Sequence, residues 1–163
     1  ALTQVLDVIL PKTDTPGASE LNIAQFIDSY MDEVAGDKQR EEFKAGANAF
    51  ALSFKENFDK ELEDGEAKDF EKAVAKYLGA DEETRNAYLK RISETQDPEA
   101  PEADFDAHAG SYAYLNAVRD LGIWAWKNSE AVGENVLWYD PIPGAYLGCI
   151  STEEAGGGKT MSL

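Results

Sequence analysis

Residues 23–34 read IAQFIDSYMDEV and carry the clearest helical periodicity in the chain. Their large apolar residues recur at intervals of three and four positions, with polar and acidic residues between them, which is the pattern of an amphipathic helix. The pattern predicts a helix over about residues 21–35 that buries one face. That face consists of Ile23, Phe26, Ile27, Tyr30, Met31 and Val34.

Similar patterns precede and follow this helix. Apolar residues within positions 2–10 predict a short helix that stops at Pro11, because proline cannot donate the helical hydrogen bond. A stripe of mostly aromatic residues predicts a long helix beginning near Asp37. Two weaker helices follow, the first ending at Gly79 and the second capped by Asp81. The stripe consists of Phe43, Ala47, Phe50, Phe54 and Phe58.

Two more helices are predicted in the last third of the chain. The prolines of residues 97–101 enforce an extended loop, because the residue before a proline is driven out of the helical region. A longer helix is then expected from near Asp104 towards Trp126. Ser129 is expected to cap a short helix that reaches Leu137.

No regular structure is expected beyond that short helix. Pro141, Pro143 and Gly144 interrupt any helix, and residues 151–163 are expected to form a flexible tail. The whole pattern predicts an all-α fold. We expect a single-domain irregular bundle of about five to seven helices with an extended C-terminal segment rich in proline and glycine.

A turn is predicted between the first two helices, at residues 12–17, which read KTDTPG. Pro16 has a fixed φ, and Gly17 can adopt the positive φ that the second corner of a type II turn requires. Asp14 can accept hydrogen bonds from nearby backbone amides. We therefore assign Asp14, Pro16 and Gly17 as the structural residues of the turn.

Composition and charge limit the classes of function. Hydrophobic residues make up 43% of the 163 residues, which is enough to form the core of one domain. The net charge of −17 at pH 7 repels nucleic acid and anionic lipid. No apolar run approaches the roughly 18 residues of a membrane-spanning helix, so no span is expected. The chain begins at Ala1, which fits an exported form whose signal has been removed.

Few residue patterns point to catalysis. His108 is the only histidine, and neither a serine nor the single Cys149 stands out as an activated nucleophile. The acidic run 59–65 resembles a calcium loop whose glycine is out of register, and GGGKT at 156–160 lacks the helix that follows a phosphate loop. There is no dinucleotide fingerprint and no CxxCH motif. We therefore expect no catalytic, cofactor-binding or metal-binding residues in this chain.

The aromatic residues are unevenly distributed. All 7 Phe lie at or before Phe105, whereas all 3 Trp and four of the 7 Tyr follow it. Trp and Tyr combine a large apolar area with a hydrogen-bond donor and are enriched where proteins meet. Two interpretations stay open, since these rings can complete the chain's own core or can form a contact surface.

Two segments carry a more specific pattern. Residues 8–18 read VILPKTDTPGA and lead into FID at 26–28. Residues 121–149 contain, in order, LGIW, NSE, LWY, PG and YLGC. Together these segments resemble the opening and closing patterns of the gluconate 2-dehydrogenase subunit 3 family. That family comprises the small or gamma subunits of membrane-associated flavoprotein dehydrogenases.

The resemblance implies an exported, all-helical subunit that is not itself an enzyme and holds no cofactor. Its partner would be a large FAD-containing subunit of the glucose-methanol-choline type, often with a cytochrome c subunit that holds haem. Family small subunits commonly carry the export signal and escort the catalytic subunit, so a periplasmic location is expected. The alternative is a stand-alone periplasmic binding or structural protein of helical fold.

With a partner implied, we interpret the later aromatic residues as partly contact residues. Cys149 is expected either to be buried or to be linked to a partner subunit, because it follows a rigid Pro143–Gly144 turn. The candidate interface residues are Trp124, Trp126, Trp138, Tyr139, Pro143, Tyr146 and Cys149.

Overall fold

The structure is a computed structural model that describes residues 1–96, 106–140, 142, 144 and 148–161. Within these residues it contains eight α-helices and one short 3₁₀-helix, Leu62–Asp64, so the predicted all-α fold is confirmed. The α-helices are α1 (Leu2–Ile9), α2 (Ile23–Glu33), α3 (Asp37–Phe58), α4 (Ala67–Leu78), α5 (Glu82–Gln96), α6 (Ala107–Lys127), α7 (Glu130–Asn135) and α8 (Thr152–Gly156).

The two longest helices, α3 and α6, form the most extensive packing between elements. Small residues allow the close approach: a Cβ at Gly46 would lie 2.9 Å from the Cβ of Tyr114, and one at Gly110 would lie 2.6 Å from the Cβ of Ala49. At the same crossing the hydroxyls of Ser53 and Ser111 are both buried and lie 2.7 Å apart. Each hydroxyl also lies within hydrogen-bond distance of a backbone carbonyl of its own helix, that of Phe50 for Ser53 and that of Ala107 for Ser111, so both buried polar groups have partners.

The remaining helices pack around this pair. Helix α1 lies against α4 and α2, and α2, α4 and α5 each contact α6. The side chains at the centre are almost completely shielded from water, and burying each large apolar one contributes about 1.5–3 kcal/mol to stability. They include Leu6, Ile23, Ile27, Phe50, Phe54, Phe70, Tyr77, Leu115 and Val118.

Helix α2 buries a narrower face than its sequence predicted. Ile23, Ile27 and Met31 are buried, but Phe26 is 37% exposed and Val34 is 67% exposed. Val34 is the C-cap residue, just beyond the last helical residue Glu33. Phe26 lies about 100° around the helix from Ile27, which turns it away from the core.

The turn at residues 12–17 differs from the predicted type II turn. Gly17 does not have a positive φ, so the prediction was wrong on this point. A Cβ at Gly17 would lie 2.7 Å from the backbone nitrogen of Lys12 and 3.2 Å from the carbonyl oxygen of Leu10. The glycine is therefore needed for a close approach of two backbone segments, which the Ala18 amide completes by donating to Leu10 over 2.9 Å.

Helix ends follow the predicted chemistry in part. Asp81 caps α5 as predicted, because its carboxylate accepts from the Thr84 amide over 2.8 Å. Helix α6 begins after Asp106, whose carboxylate accepts from two backbone amides over 2.9 and 3.0 Å; Asp104 lies outside the described residues. Ser129 precedes α7, but its hydroxyl donates to the Trp126 carbonyl over 2.8 Å and does not cap the helix.

The segment after residue 150 contains a helix that the sequence did not predict. Ser151 and Glu154 form a capping box at the start of α8, and Gly157 ends the helix in the left-handed conformation. Trp138 packs directly on Gly156, where a Cβ would lie 2.5 Å from the ring, and its amide donates to the Thr160 carbonyl over 2.9 Å. The predicted flexibility of residues 151–163 is a statement about motion, and it stays a prediction.

Among the described residues, no helix combines the length and the apolar character that crossing a membrane would require.

Candidate partner interface

The structure describes five of the seven candidate interface residues, and Pro143 and Tyr146 lie outside the described residues. The five come from two stretches of the sequence. Trp124 and Trp126 lie at the end of α6, whereas Trp138, Tyr139 and Cys149 belong to the C-terminal segment. The candidates therefore come from two parts of the chain that are separate in sequence.

Trp124 lies on the surface, 49% exposed, and packs against two aromatic side chains of α2. Its ring centroid is 5.4 Å from that of Phe26 and 6.1 Å from that of Tyr30, and the latter two are 6.2 Å apart. These separations are typical of favourable aromatic pairs. We call Phe26, Tyr30 and Trp124 the aromatic ledge, a partly exposed surface built from two helices.

A groove of about 430 Å³ lies between helices α2, α3 and α6. Its apolar wall includes Met31 and Leu121, together with Phe43 and Tyr114, whose ring centroids are 5.1 Å apart. Burial raises the pKa of Tyr114 to about 12, because its charged form is poorly solvated there. The apolar wall of the groove suits an apolar side chain.

Trp126 makes contacts within this chain that stabilise its fold. Its ring is partly buried against the core, and its indole nitrogen donates to the Pro16 carbonyl over 2.8 Å. This bond joins the turn at residues 12–17 to the end of α6 across a large sequence separation. The predicted contact role of Trp126 stays a prediction, but the geometry already accounts for a tryptophan at this position.

Trp138 is partly covered by the chain's own tail, whereas its neighbour Tyr139 is 53% exposed. Cys149 is also exposed. The structure therefore excludes a buried Cys149 in the isolated chain, and a link to a partner subunit stays a prediction.

His108 occupies a structural position. Its Nδ1 lies 2.7 Å from the Tyr77 hydroxyl, and its Nε2 lies 3.5 Å from a carboxylate oxygen of Glu56. The histidine thus connects the start of α6 to α4 and α3. In the described part of the chain, no cluster of three or more His, Cys, Asp or Glu residues is arranged to hold a metal ion.

Sequence reasoning missed the contribution of α2 to the exposed aromatic surface. Phe26 and Tyr30 fit the helical period and were assigned to the core together with Ile23 and Ile27. One available signal was that the predicted apolar face is wide, with Phe26 and Tyr30 four residues apart along its edge. Such an edge pair packs on a neighbour only if a neighbouring helix reaches it, and the sequence does not show how α6 crosses α2.

A family model described as Gluconate 2-dehydrogenase subunit 3 matches residues 1–144. No curated protein and no solved structure matches.

Proposed function

The chain belongs to the gluconate 2-dehydrogenase subunit 3 family, and from that premise we propose that it is the non-catalytic small subunit of a dehydrogenase complex. In this role it stabilises a periplasmic FAD-dependent sugar or polyol dehydrogenase of the glucose-methanol-choline type and helps to export it. The match over residues 1–144 is the observation that carries the proposal, because it spans every helix from α1 to α7.

The proposal assigns the redox chemistry to the partner subunits. The flavin would be held by the large catalytic subunit, and haem c would be held by a cytochrome c subunit where one is present. This chain would contribute binding surface, for which the exposed rings of Trp124 and Tyr139 are suited, since Trp and Tyr carry much of the binding energy at interfaces.

Co-expression tests the proposal. The catalytic subunit is expressed with and without this chain, each with its export signal, and the periplasmic fraction is assayed for bound FAD and for dye-linked sugar oxidation. We expect the chain to co-purify with the flavoprotein and the periplasmic activity to fall at least tenfold when the chain is omitted. Recovery of the chain alone, with undiminished periplasmic flavoprotein, would favour the stand-alone protein instead.

A further inference from the structure

The aromatic ledge and the groove beside it form one continuous surface. Leu121 lines the groove and lies three residues before Trp124 on α6, so the two side chains are neighbours on one helix face. We call the combined surface the α2–α6 surface.

The chain's own packing leaves the ledge uncovered. The core face of α2 is supplied by Ile23, Ile27 and Met31, while Phe26 and Trp124 keep more than a third of their area in water. Exposing large aromatic rings costs free energy that burial against a partner would recover. The three rings already hold one another in place, so a partner would lose little side-chain entropy in contacting them.

The charges at this surface favour a basic partner. Among the described residues that line the groove, the carboxylates are Glu42 and Asp120, and no lysine or arginine is among them. Glu42 lies 3.8 Å from Lys38, and Asp120 lies 2.8 Å from Arg119, but both pairs are exposed and such pairs are weak. A lysine or arginine of a partner can therefore compete for both carboxylates.

A second copy of this chain is a poor occupant. Each copy carries a net charge of −17, so two copies meeting through this surface would bring like charges together. The same charge disfavours nucleic acid and anionic lipid. The surface instead suits a protein segment whose apolar side chains fill the groove and whose flanking residues are basic.

We propose that the α2–α6 surface docks the catalytic subunit of the dehydrogenase through an apolar segment flanked by lysine or arginine. This inference rests on the function proposed above and adds the place and chemistry of the contact. In it, Trp124 and Phe26 are the central apolar contacts, and Glu42 and Asp120 pair with the basic residues of the segment.

Affinity measurements with matched variants test the proposal. The catalytic subunit, purified from the native complex and freed of its small subunit, is titrated with the wild-type chain and with Trp124→Ala. We expect at least a tenfold loss of affinity for this variant, because a central aromatic contact is removed. Leu89→Ala is the control, since Leu89 is also 49% exposed but lies on α5.

Folding and charge are tested separately. Trp124→Phe keeps a ring in the ledge and should recover most of the affinity, whereas a loss equal to that of Trp124→Ala would contradict the ledge contact. Circular dichroism melting of each variant confirms that the helices remain. For Glu42→Gln with Asp120→Asn, we expect weaker binding and a smaller decrease of affinity with added salt.

The outcomes separate the two proposals. Failure of the wild-type chain to bind the catalytic subunit would overturn both. Tight wild-type binding that Trp124→Ala leaves within twofold would overturn only the docking surface and leave the subunit function intact. Sedimentation showing a dimer of this chain that Trp124→Ala dissociates would also overturn it, because the occupant would then be a second copy.

Discussion

At the residue scale, position 17 requires glycine because the neighbouring backbone leaves no room for a side chain. A Cβ at this position would lie 2.7 Å from the Lys12 backbone nitrogen, and a backbone atom cannot move as a flexible side chain can. We expect Gly17→Ala to lower the free energy of unfolding by about 1–3 kcal/mol, as overpacking does. Urea denaturation measures the change. Gly144→Ala, where nothing lies within 4 Å of the added Cβ, should stay within about 0.5 kcal/mol of wild type.

Tyr114 gives the chain a dependence on alkaline pH. Its pKa is raised from 10.0 to about 12 by burial, so the unfolded chain releases this proton at lower pH than the folded chain does. The contribution is fully present below pH 10 and is lost as pH rises towards 12. We expect Tyr114→Phe to flatten the fall in unfolding free energy over this range. The exposed Tyr139→Phe is the control and should leave the slope unchanged.

Cys149 is expected to form a disulfide with the catalytic subunit. It is the only cysteine of the chain, it is exposed, and disulfides persist in an oxidising periplasm. Non-reducing electrophoresis of the assembled complex should show one band containing both subunits, which Cys149→Ser separates. Two bands from the wild-type complex without reductant would contradict the prediction and leave Cys149 as a free surface thiol.

At the scale of elements, the crossing of α3 and α6 depends on small residues placed opposite each other. Gly110→Ala favours the helix by its intrinsic propensity, about 0.5–1 kcal/mol, but the new Cβ would lie 2.6 Å from that of Ala49. We expect the overpacking to outweigh the propensity and to destabilise the chain by about 1–3 kcal/mol.

A double-mutant cycle checks this explanation. Ala49→Gly removes the methyl group that faces position 110. The methyl group added by Gly110→Ala then has room. The two changes together should therefore destabilise less than the sum of the single changes by more than about 1 kcal/mol. Additive changes in the free energy of unfolding would mean that the methyl groups at positions 49 and 110 do not interact.

At the scale of the whole molecule, the net charge of −17 opposes the folded state. Folding concentrates like charges, and salt screens them because the Debye length falls from about 30 Å at 0.01 M to about 10 Å at 0.1 M. We expect the Tm to rise with sodium chloride over this range. A falling Tm would instead mean that ion pairs such as Lys60–Asp69, at 2.8 Å, outweigh the general repulsion.

Most of the helices could be predicted from the sequence, because periodicity and helix-ending residues are local properties. The stripe from Phe43 to Phe58 predicted α3, whose start near Asp37 is confirmed, and Gly79 and Asp81 marked the boundary between α4 and α5. Helix α8 was missed because its five residues contain almost no apolar pattern and depend on a capping box. The family was also identified from short local motifs, and the match over residues 1–144 confirms it.

The candidate surface could be predicted only in part. Trp124 was chosen because tryptophan is common at interfaces, but nothing in the sequence distinguished it from Trp126, which instead bonds to Pro16. Phe26 and Ile27 are adjacent in the chain, yet one is exposed beside Trp124 and the other is buried.

The sequence by itself determined the helical class, the family and the acidic surface, because these depend on composition, period and short motifs. The tertiary structure alone decided which side chains of each apolar face are covered. A helix buries only the side chains that a neighbouring helix covers. Which side chains are covered depends on how the helices cross, and a crossing such as the one at Gly46 and Tyr114 is formed by residues distant in the chain. The aromatic ledge exists because α2 and α6 meet at its three rings and leave one side of them in water.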